Sequence, residues 1–239
     1  RTQYHLVLAR TFLQQAIAAA GNQQPNVPFI TAAVGRAVAE AREATDRSPS
    51  NAAAWDTLAA MYANARAVAG NAIEWEIRAL ARAAELEPTN PTLRFRLAAA
   101  YIAQNKLSEA KKELEASLTL KPDYVDAFLF MARVHESEGD LDAALVRAGD
   151  AVRFAPNSVE VLYEFGRLSY NRGTSDDIAR AEQVFQAILQ VDPNYLNALF
   201  SLGLLYERRG DAGRALQLYR RAIQLAPQNA ELRERIRAL

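Results

Sequence analysis

Large and small residues recur at a fixed helical spacing in five segments of the chain. In each segment, bulky residues occupy positions i and i+3, a small residue occupies i+4, and position i+7 is usually aromatic. Positions with this spacing lie on one face of an α-helix. The segments are residues 55–62, 94–101, 128–135, 162–169 and 199–206. Each segment predicts a helix with one buried face, and we call these the first helices.

A second set of small residues predicts a partner for the first helices. Alanine recurs in four later segments, and another core position follows it one turn later. These pairs are Ala110 with Leu114, Ala144 with Ala148, Ala181 with Phe185, and Ala215 with Tyr219. Small residues at a crossing allow two helices to approach closely. The pattern therefore predicts second helices that pack tightly on the first helices.

Prolines and glycines divide the chain at a regular interval. Pro88, Pro122 and Pro156 lie 34 residues apart, as do Pro193 and Pro227. The turn inside each helix pair is expected to contain a residue in the left-handed conformation, which glycine or asparagine adopts most readily. The residues at these turns are Asn105, Gly139, Gly173 and Gly210. A fixed period of this length predicts that one helix-turn-helix unit is stacked several times.

This combination of period, small positions, turn glycines and prolines resembles the tetratricopeptide repeat family over residues 52–227. The resemblance implies an all-α fold, a right-handed superhelical solenoid of stacked antiparallel helix pairs. We expect one solenoid over residues 1–239. It would comprise an atypically long helix pair at 1–49, repeats at 50–88, 89–122, 123–156, 157–193 and 194–227, and a C-terminal capping helix at 228–239.

Three segments depart from the regular period. Residues 21–28 are predicted to form a loop inserted into the first helix pair, and extra residues fall near 65–71 and near 174–177. Insertions in such arrays usually form loops on one edge. We interpret them as tolerated surface variation rather than as contact loops.

Composition narrows the class of protein. Half of the residues are hydrophobic with helical periodicity and no strand-like runs, which predicts almost no sheet. The absence of cysteine excludes disulfides and cysteine-based metal sites. A net charge of zero gives no reason to expect nucleic acid as a partner.

Charge is unevenly distributed along the chain. Residues 194–239 carry 8 basic and 4 acidic residues, whereas residues 51–193 carry 15 basic and 21 acidic ones. The basic end could dock an acidic partner or the acidic middle of another copy. We favour a solvated helical surface with pairs such as Glu231 with Arg235.

Catalytic signatures are weak. His5 and His135 are the only histidines, and the chain has no phosphate-binding loop, zinc-protease motif or nucleophile elbow. His135 and Ser169 occupy equivalent positions in adjacent repeats, but this position normally packs between helices. The acidic turn around Gly139 lacks the spacing of a calcium loop. We therefore predict that the chain is not an enzyme and uses no cofactor or metal.

In the tetratricopeptide repeat family the ligand usually lies in a concave groove along the first helices. Here the expected groove is largely apolar and aromatic, with arginines at its edges. The predicted binding residues are Phe95, Arg96, Leu129, Phe130, Arg133, Tyr163, Arg167, Tyr170, Phe200 and Leu204. The lysine and asparagine clamp with which some relatives hold a chaperone carboxylate is absent. The partner is therefore predicted to be a protein or peptide with apolar anchors and acidic groups that pair with Arg133 and Arg167. Alternatively, the aromatic residues pack between repeats and leave no open groove.

A narrower resemblance concerns residues 48–62, the insertion that follows and residues 194–211. These segments resemble the C-terminal repeat region of bacterial O-antigen polymerases and ligases. That resemblance implies an extracytoplasmic accessory domain of a membrane protein, with membrane helices before Arg1. No stretch of this chain is long and apolar enough to span a bilayer. A third hypothesis is a self-assembling scaffold in which the chain forms homo-oligomers. The compartment is otherwise undetermined.

Overall fold

The computed structural model describes residues 1–239 and contains thirteen α-helices and no strands. The all-α fold class is therefore confirmed. The chain forms two compact units, Arg1–Pro122 and Asp123–Leu239. None of the helices combines the length and the apolar character needed to cross a membrane.

The N-terminal unit consists of three antiparallel helix pairs. The helices are α1 (Thr2–Ala20), α2 (Val27–Arg47), α3 (Ala52–Ala65), α4 (Ala72–Leu86), α5 (Pro91–Ala103) and α6 (Leu107–Leu120). Ala37 and Ala41 of α2 meet Leu58 and Met61 of α3 in the main core cluster. Small residues on α2 bring its axis close to α3, so that the bulky residues of α3 fill the space between them.

The C-terminal unit also contains three helix pairs, followed by one short helix. The helices are α7 (Val125–Ser137), α8 (Leu141–Phe154), α9 (Val159–Arg172), α10 (Ser175–Val191), α11 (Leu196–Arg208), α12 (Ala212–Leu225) and α13 (Ala230–Ala238). Phe185, Leu199 and Tyr219 are completely buried in its largest core cluster. Leu232 brings α13 into the same cluster. The last two helix pairs thus share one apolar interior, which α13 covers.

Side-chain caps start several of these helices. Asp140, Ser158, Asp211 and Asn229 each accept a hydrogen bond from the backbone N–H three residues further on. Such caps satisfy backbone donors that have no partner inside the helix. These four residues therefore mark where α8, α9, α12 and α13 begin.

The predicted left-handed turns are confirmed. Gly139, Gly173 and Gly210 have φ angles of 82°, 76° and 78°, and Asn105 has a φ angle of 58°. These turns end the first helix of a pair and reverse the chain into the second. A residue with a Cβ atom is strained in this conformation, which explains the preference for glycine and asparagine.

The predicted close crossings are also confirmed. All eight residues of the alanine pairs are completely buried; they are Ala110, Leu114, Ala144, Ala148, Ala181, Phe185, Ala215 and Tyr219. Two first helices need an even smaller residue at the crossing. A Cβ atom on Gly203 would lie 2.4 Å from Cε1 of Tyr219, and one on Gly166 would lie 2.8 Å from Cε1 of Phe185. These glycines make room for buried rings.

Two of the three irregular segments are loops, and one is not. Residues 21–26 separate α1 from α2, and residues 66–71 separate α3 from α4. The prediction of a loop near 174–177 was wrong, since Ser175 begins α10. Thr174 caps this helix by accepting a hydrogen bond from the Asp177 backbone N–H, and the Asp177 carboxylate is completely buried. The extra residues thus lengthen a helix at a buried ion pair.

Asp177 is held by three side chains. Arg172 donates two hydrogen bonds to its carboxylate at 2.5 and 2.7 Å, Arg180 donates one at 3.1 Å, and the Thr174 hydroxyl donates one at 2.5 Å. The Arg172 guanidinium, with these other contacts, lowers the pKa of Asp177 below its ordinary value. The carboxylate therefore stays ionised although it is buried.

Candidate functional site

The ten predicted groove residues fall in both units. Phe95 and Arg96 belong to α5 of the N-terminal unit, and the other eight belong to α7, α9 and α11 of the C-terminal unit. Arg133 is exposed, and the remaining nine are half-buried. None of the ten is completely buried, so each remains partly accessible at the surface.

In the N-terminal unit, the charge of Arg96 is already compensated. Its guanidinium forms an ion pair with the carboxylate of Asp56 on α3. Phe95 lies beside it on α5 and is half-buried. The pair of residues therefore presents an aromatic side chain next to a neutralised charge.

In the C-terminal unit, α7, α9 and α11 lie side by side and present what we call the first-helix face. We define this face by the eight predicted residues Leu129, Phe130, Arg133, Tyr163, Arg167, Tyr170, Phe200 and Leu204. The Tyr163 ring centroid lies 6.0 Å from that of Phe185 and 5.7 Å from that of Tyr195. Phe200 similarly lies 5.9 Å from Tyr219. The aromatic residues thus pack partly on the core and remain partly accessible.

Polar contacts further fix these rings. The Tyr163 hydroxyl lies 3.4 Å from the Ser201 hydroxyl across the boundary between α9 and α11. The Arg208 guanidinium lies 5.8 Å above the Tyr170 ring, and that of Arg133 lies 5.3 Å from the Phe130 ring. Cation–π contacts of this kind hold both partners in place. The face is therefore largely preorganised.

A row of charges crosses the face between α7 and α9. Arg167 donates to both oxygens of Glu136 at 2.7 and 2.8 Å, and to Glu164 at 2.9 Å. Arg133 contacts the other oxygen of Glu164 at 3.3 Å. The hydrogen bonds from Arg167 lower the pKa of Glu136, and those from Glu136 raise the pKa of Arg167. Two positive and two negative charges therefore compensate one another.

This network affects which arginine is available to an acidic ligand. Arg167 was predicted to pair with an acidic group of the partner, but its guanidinium is occupied by Glu136 and Glu164. Arg133 keeps 49% of its side chain exposed and has a single longer contact to a carboxylate. If an acidic group docks on this face, Arg133 is the better placed of the two arginines.

The basic C-terminal end contains the predicted pair between Glu231 and Arg235. Arg235 contacts Glu207 at 3.0 Å and Glu231, four residues earlier on α13, at 3.2 Å. Arg209 forms an ion pair with Glu182 of α10. Arg209 and Arg235 are therefore compensated within the unit and contribute little positive charge to self-assembly.

His135 and Ser169, the residues considered as a catalytic pair, make contacts within their own helices or turns. Ser169 is completely buried, and its hydroxyl donates to the Phe165 carbonyl at 2.9 Å. Nδ1 of His135 lies 3.6 Å from a carboxylate oxygen of Glu138. No group of three or more histidine or acidic side chains is arranged to hold a metal ion. Ser169 therefore has the packing role that its position in the repeat predicted.

One concavity was missed by the sequence analysis. It lies in the N-terminal unit between α2 and α4, has a volume of about 600 Å³, and has α3 as its floor. Its lining includes Trp55 and Trp75, the two tryptophans of the chain, together with Arg42 and Tyr62. The rarity of tryptophan was a usable signal, but the residues come from three helices and have no common spacing. We call this concavity the α2–α4 cleft.

Comparisons with known proteins agree with the fold. Two sequence models of the tetratricopeptide repeat family match residues 77–133 and 167–230. The crystal structure described as "YrrB: a TPR protein with an unusual peptide-binding site" superposes with a TM-score of 0.62 at 22% identity. The match covers 83% of this chain and 98% of that one. At this identity, the likeness concerns the fold.

Sequence relatives include subunits of the anaphase-promoting complex and a protein O-mannosyl-transferase. Anaphase-promoting complex subunit 3 of Schizosaccharomyces pombe is 25% identical over 141 residues, which is 59% of this chain and 21% of the relative. The human protein O-mannosyl-transferase TMTC1 is 22% identical over 158 residues, which is 66% of this chain and 18% of the relative. The chain thus spans about a fifth of the length of these curated relatives.

These relatives give no support to the resemblance to O-antigen polymerases and ligases. Proteins with this type of repeat are protein-interaction scaffolds and are generally non-catalytic. The repeat period, the left-handed turns, the stacked helix pairs and the family matches all agree. The chain belongs to the tetratricopeptide repeat family.

Proposed function

We propose that this chain is a non-catalytic scaffold that holds a peptide or helix of a partner protein against the first-helix face. The observation that carries this proposal is the set of half-buried apolar and aromatic side chains on three adjacent helices. Tyr163, Phe200 and Leu204 all pack against the core cluster while part of each remains accessible. An apolar side chain of a partner would bury more of the same surface and so gain free energy.

Preorganisation favours binding on this face. Tyr163 and Phe200 are already held by ring contacts, and the charge row is already hydrogen-bonded, so little side-chain freedom is lost on association. Loss of rotamer freedom costs about 0.5–1.5 kcal/mol for each side chain that must be ordered. The Tyr163 hydroxyl adds a polar group that can discriminate among apolar partners. The compensated charges favour apolar anchors over a strongly charged ligand.

The structural neighbour described as having an unusual peptide-binding site supports a peptide as the class of ligand. We extend that class to this chain because the first-helix face has an apolar surface of the appropriate kind.

The test introduces a charge at apolar positions of the face. Leu204→Lys and Leu129→Lys place an ammonium group among the proposed anchors, while a lysine stem can still cover the underlying surface. The matched controls are Val146→Lys on α8 and Val191→Lys on α10, where the wild-type valines are 60% and 73% exposed. Thermal unfolding followed by circular dichroism verifies that all four variants are folded.

The readout is quantitative affinity capture from a lysate of the organism that encodes the chain, followed by direct titration of each captured protein. We expect a partner that binds the wild type and both valine variants but binds the two leucine variants at least about tenfold more weakly, the equivalent of 1.4 kcal/mol. A partner that binds all five proteins equally would refute the assignment to this face.

A further inference from the structure

The α2–α4 cleft is a second surface concavity that the proposed function does not use. Its volume is about 600 Å³, and a neighbouring concavity of about 490 Å³ shares Arg42, Tyr62 and Trp75 with it. The two concavities adjoin at these three residues between α2 and α4, and we call them together the groove. A groove of this size accommodates several residues of an extended peptide.

Arginines lie directly on the aromatic wall of this groove. Arg78 lies 4.7 Å from the ring centroid of Trp75, and Arg42 lies 5.6 Å from the same centroid. Arg42 also donates through Nε to the Tyr62 hydroxyl at 2.6 Å. The Tyr62 and Trp75 rings stack with an interplanar angle of 24°. The two guanidinium groups are therefore held in fixed positions by aromatic contacts.

These two arginines have no carboxylate partner. Arg42 contacts Tyr62 and Trp75, and Arg78 contacts Trp75, whereas the third arginine of the cleft, Arg82, pairs with Glu85 at 2.9 Å. Asp46 is the only acidic residue in the lining. The cleft thus carries an uncompensated positive charge in a chain whose net charge is zero.

The neighbouring concavity is mainly apolar away from Arg42. Val38 of α2 faces Val68 and Ala69 of the loop at residues 66–71, and Val68 is 40% exposed. This loop is the insertion that lengthens the second repeat. It builds one wall of the groove, so the extra residues have a structural consequence that regular repeats lack.

We propose that this groove binds an acidic peptide segment of a partner protein, with carboxylates on Arg42 and Arg78 and one large apolar side chain between Val38 and Val68. Charge complementarity selects the acidic residues, since guanidinium groups bind carboxylates through paired hydrogen bonds. The apolar concavity selects the anchor. The arginines cover the face of Trp75, which leaves that ring unsuited to stacking on a sugar.

The two tryptophans make the groove directly observable. Trp55 and Trp75 both line it and are the only tryptophans in the chain, so all tryptophan emission comes from side chains at this site. The first step is selection of a displayed library of random dodecapeptides on the full chain. Enriched peptides are then synthesised without tryptophan and titrated while the emission is recorded.

We expect enriched peptides to combine Asp or Glu with one large apolar residue and to change tryptophan emission on binding. Replacing their acidic residues by Asn and Gln should weaken binding by about tenfold or more, since hydrogen bonds to charged groups are the stronger ones. Arg78→Gln should have a similar effect. It is the main variant because Arg42→Gln also removes the hydrogen bond to Tyr62 and so risks a loss of stability.

Arg220→Gln is the matched control, because Arg220 is an exposed arginine without a carboxylate partner on α12. Equal binding to Arg78→Gln and wild type would overturn the proposal, as would enrichment of peptides without acidic residues or the absence of any emission change. Peptides that are weakened by Leu204→Lys and leave the emission unchanged would identify the first-helix face instead, so the two proposals succeed or fail separately.

Discussion

Gly203→Ala tests how tightly the last helix pair is packed. The new Cβ atom would lie 2.4 Å from Cε1, 2.8 Å from Cδ1 and 2.9 Å from Cζ of Tyr219. Carbon atoms in contact are normally separated by about 3.5 Å or more, so the ring would have to move by about 1 Å. The ring is completely buried, and its hydroxyl donates to Glu207 at 2.7 Å. It therefore has little room to move.

The expected cost follows from three contributions. Overpacking a core typically costs about 1–3 kcal/mol. Displacing the Tyr219 hydroxyl from Glu207 adds about 1–3 kcal/mol if the buried group loses its partner. Alanine has a higher helix propensity than glycine, which offsets about 1 kcal/mol of this destabilisation. We expect Gly203→Ala to lower the free energy of unfolding by about 3 kcal/mol.

Gly149→Ala is the control, because Gly149 is also inside a helix and its nearest atom to a new Cβ would be Cε2 of Phe165 at 3.8 Å. That distance is an ordinary contact, so the substitution should stabilise the protein by about 0.5–1 kcal/mol. A further comparison sets the double variant Gly203→Ala/Tyr219→Leu against Tyr219→Leu alone. With the ring removed, the alanine should no longer be destabilising, and the two substitutions should be strongly coupled.

The assay is urea unfolding followed by far-UV circular dichroism, with the midpoints and slopes of all variants compared. Slopes must be compared because arrays of repeats can unfold in steps. A Gly203→Ala variant as stable as the wild type would refute the reasoning. So would an equal loss of stability in the presence and absence of the Tyr219 ring.

Two further predictions concern conformation and charge. Gly210→Ala should destabilise the protein by about 1 kcal/mol, because its φ of 78° is unfavourable for alanine although no atom lies within 4 Å, and the same urea assay measures it. Asp177→Asn should lower the urea midpoint most at neutral pH. The carboxylate has a lower pKa in the folded chain, so its contribution is present above the unfolded pKa of about 4 and is lost as the pH falls. A deficit that grows in acid would contradict the assigned ion pairs.

Features that depend on neighbouring residues in one repeat were predictable from the sequence. The left-handed turns at Gly139 and Gly210 follow from local backbone preference, and the buried alanines such as Ala144 follow from helical spacing. Each depends on a short stretch of chain with a fixed period. Repetition makes such signals stronger because the same pattern occurs several times.

Features that depend on side chains from different repeats were not predictable. Arg167 meets Glu136, which lies 31 residues earlier, and that contact decides whether its charge is available to a ligand. The α2–α4 cleft likewise combines Arg42, Tyr62 and Trp75 from three helices. Residues 174–177 resembled a loop because the period was broken, whereas the buried Asp177 carboxylate stabilises a longer helix.

The close contact between each glycine and its aromatic ring limits where recombination can exchange repeats in the gene. Gly166 and Gly203 each contact an aromatic ring of the second helix. The repeats with Ala98 and Ala132 at this position have Leu114 and Ala148, respectively, in place of the ring. Recombination within a repeat could join an alanine-bearing first helix to a ring-bearing second helix and create the clash in one event. Recombination near the repeat boundaries at Pro156 and Pro193 would keep each glycine with its own ring. Duplication and exchange of repeats at the coding sequence for those prolines would therefore avoid this clash.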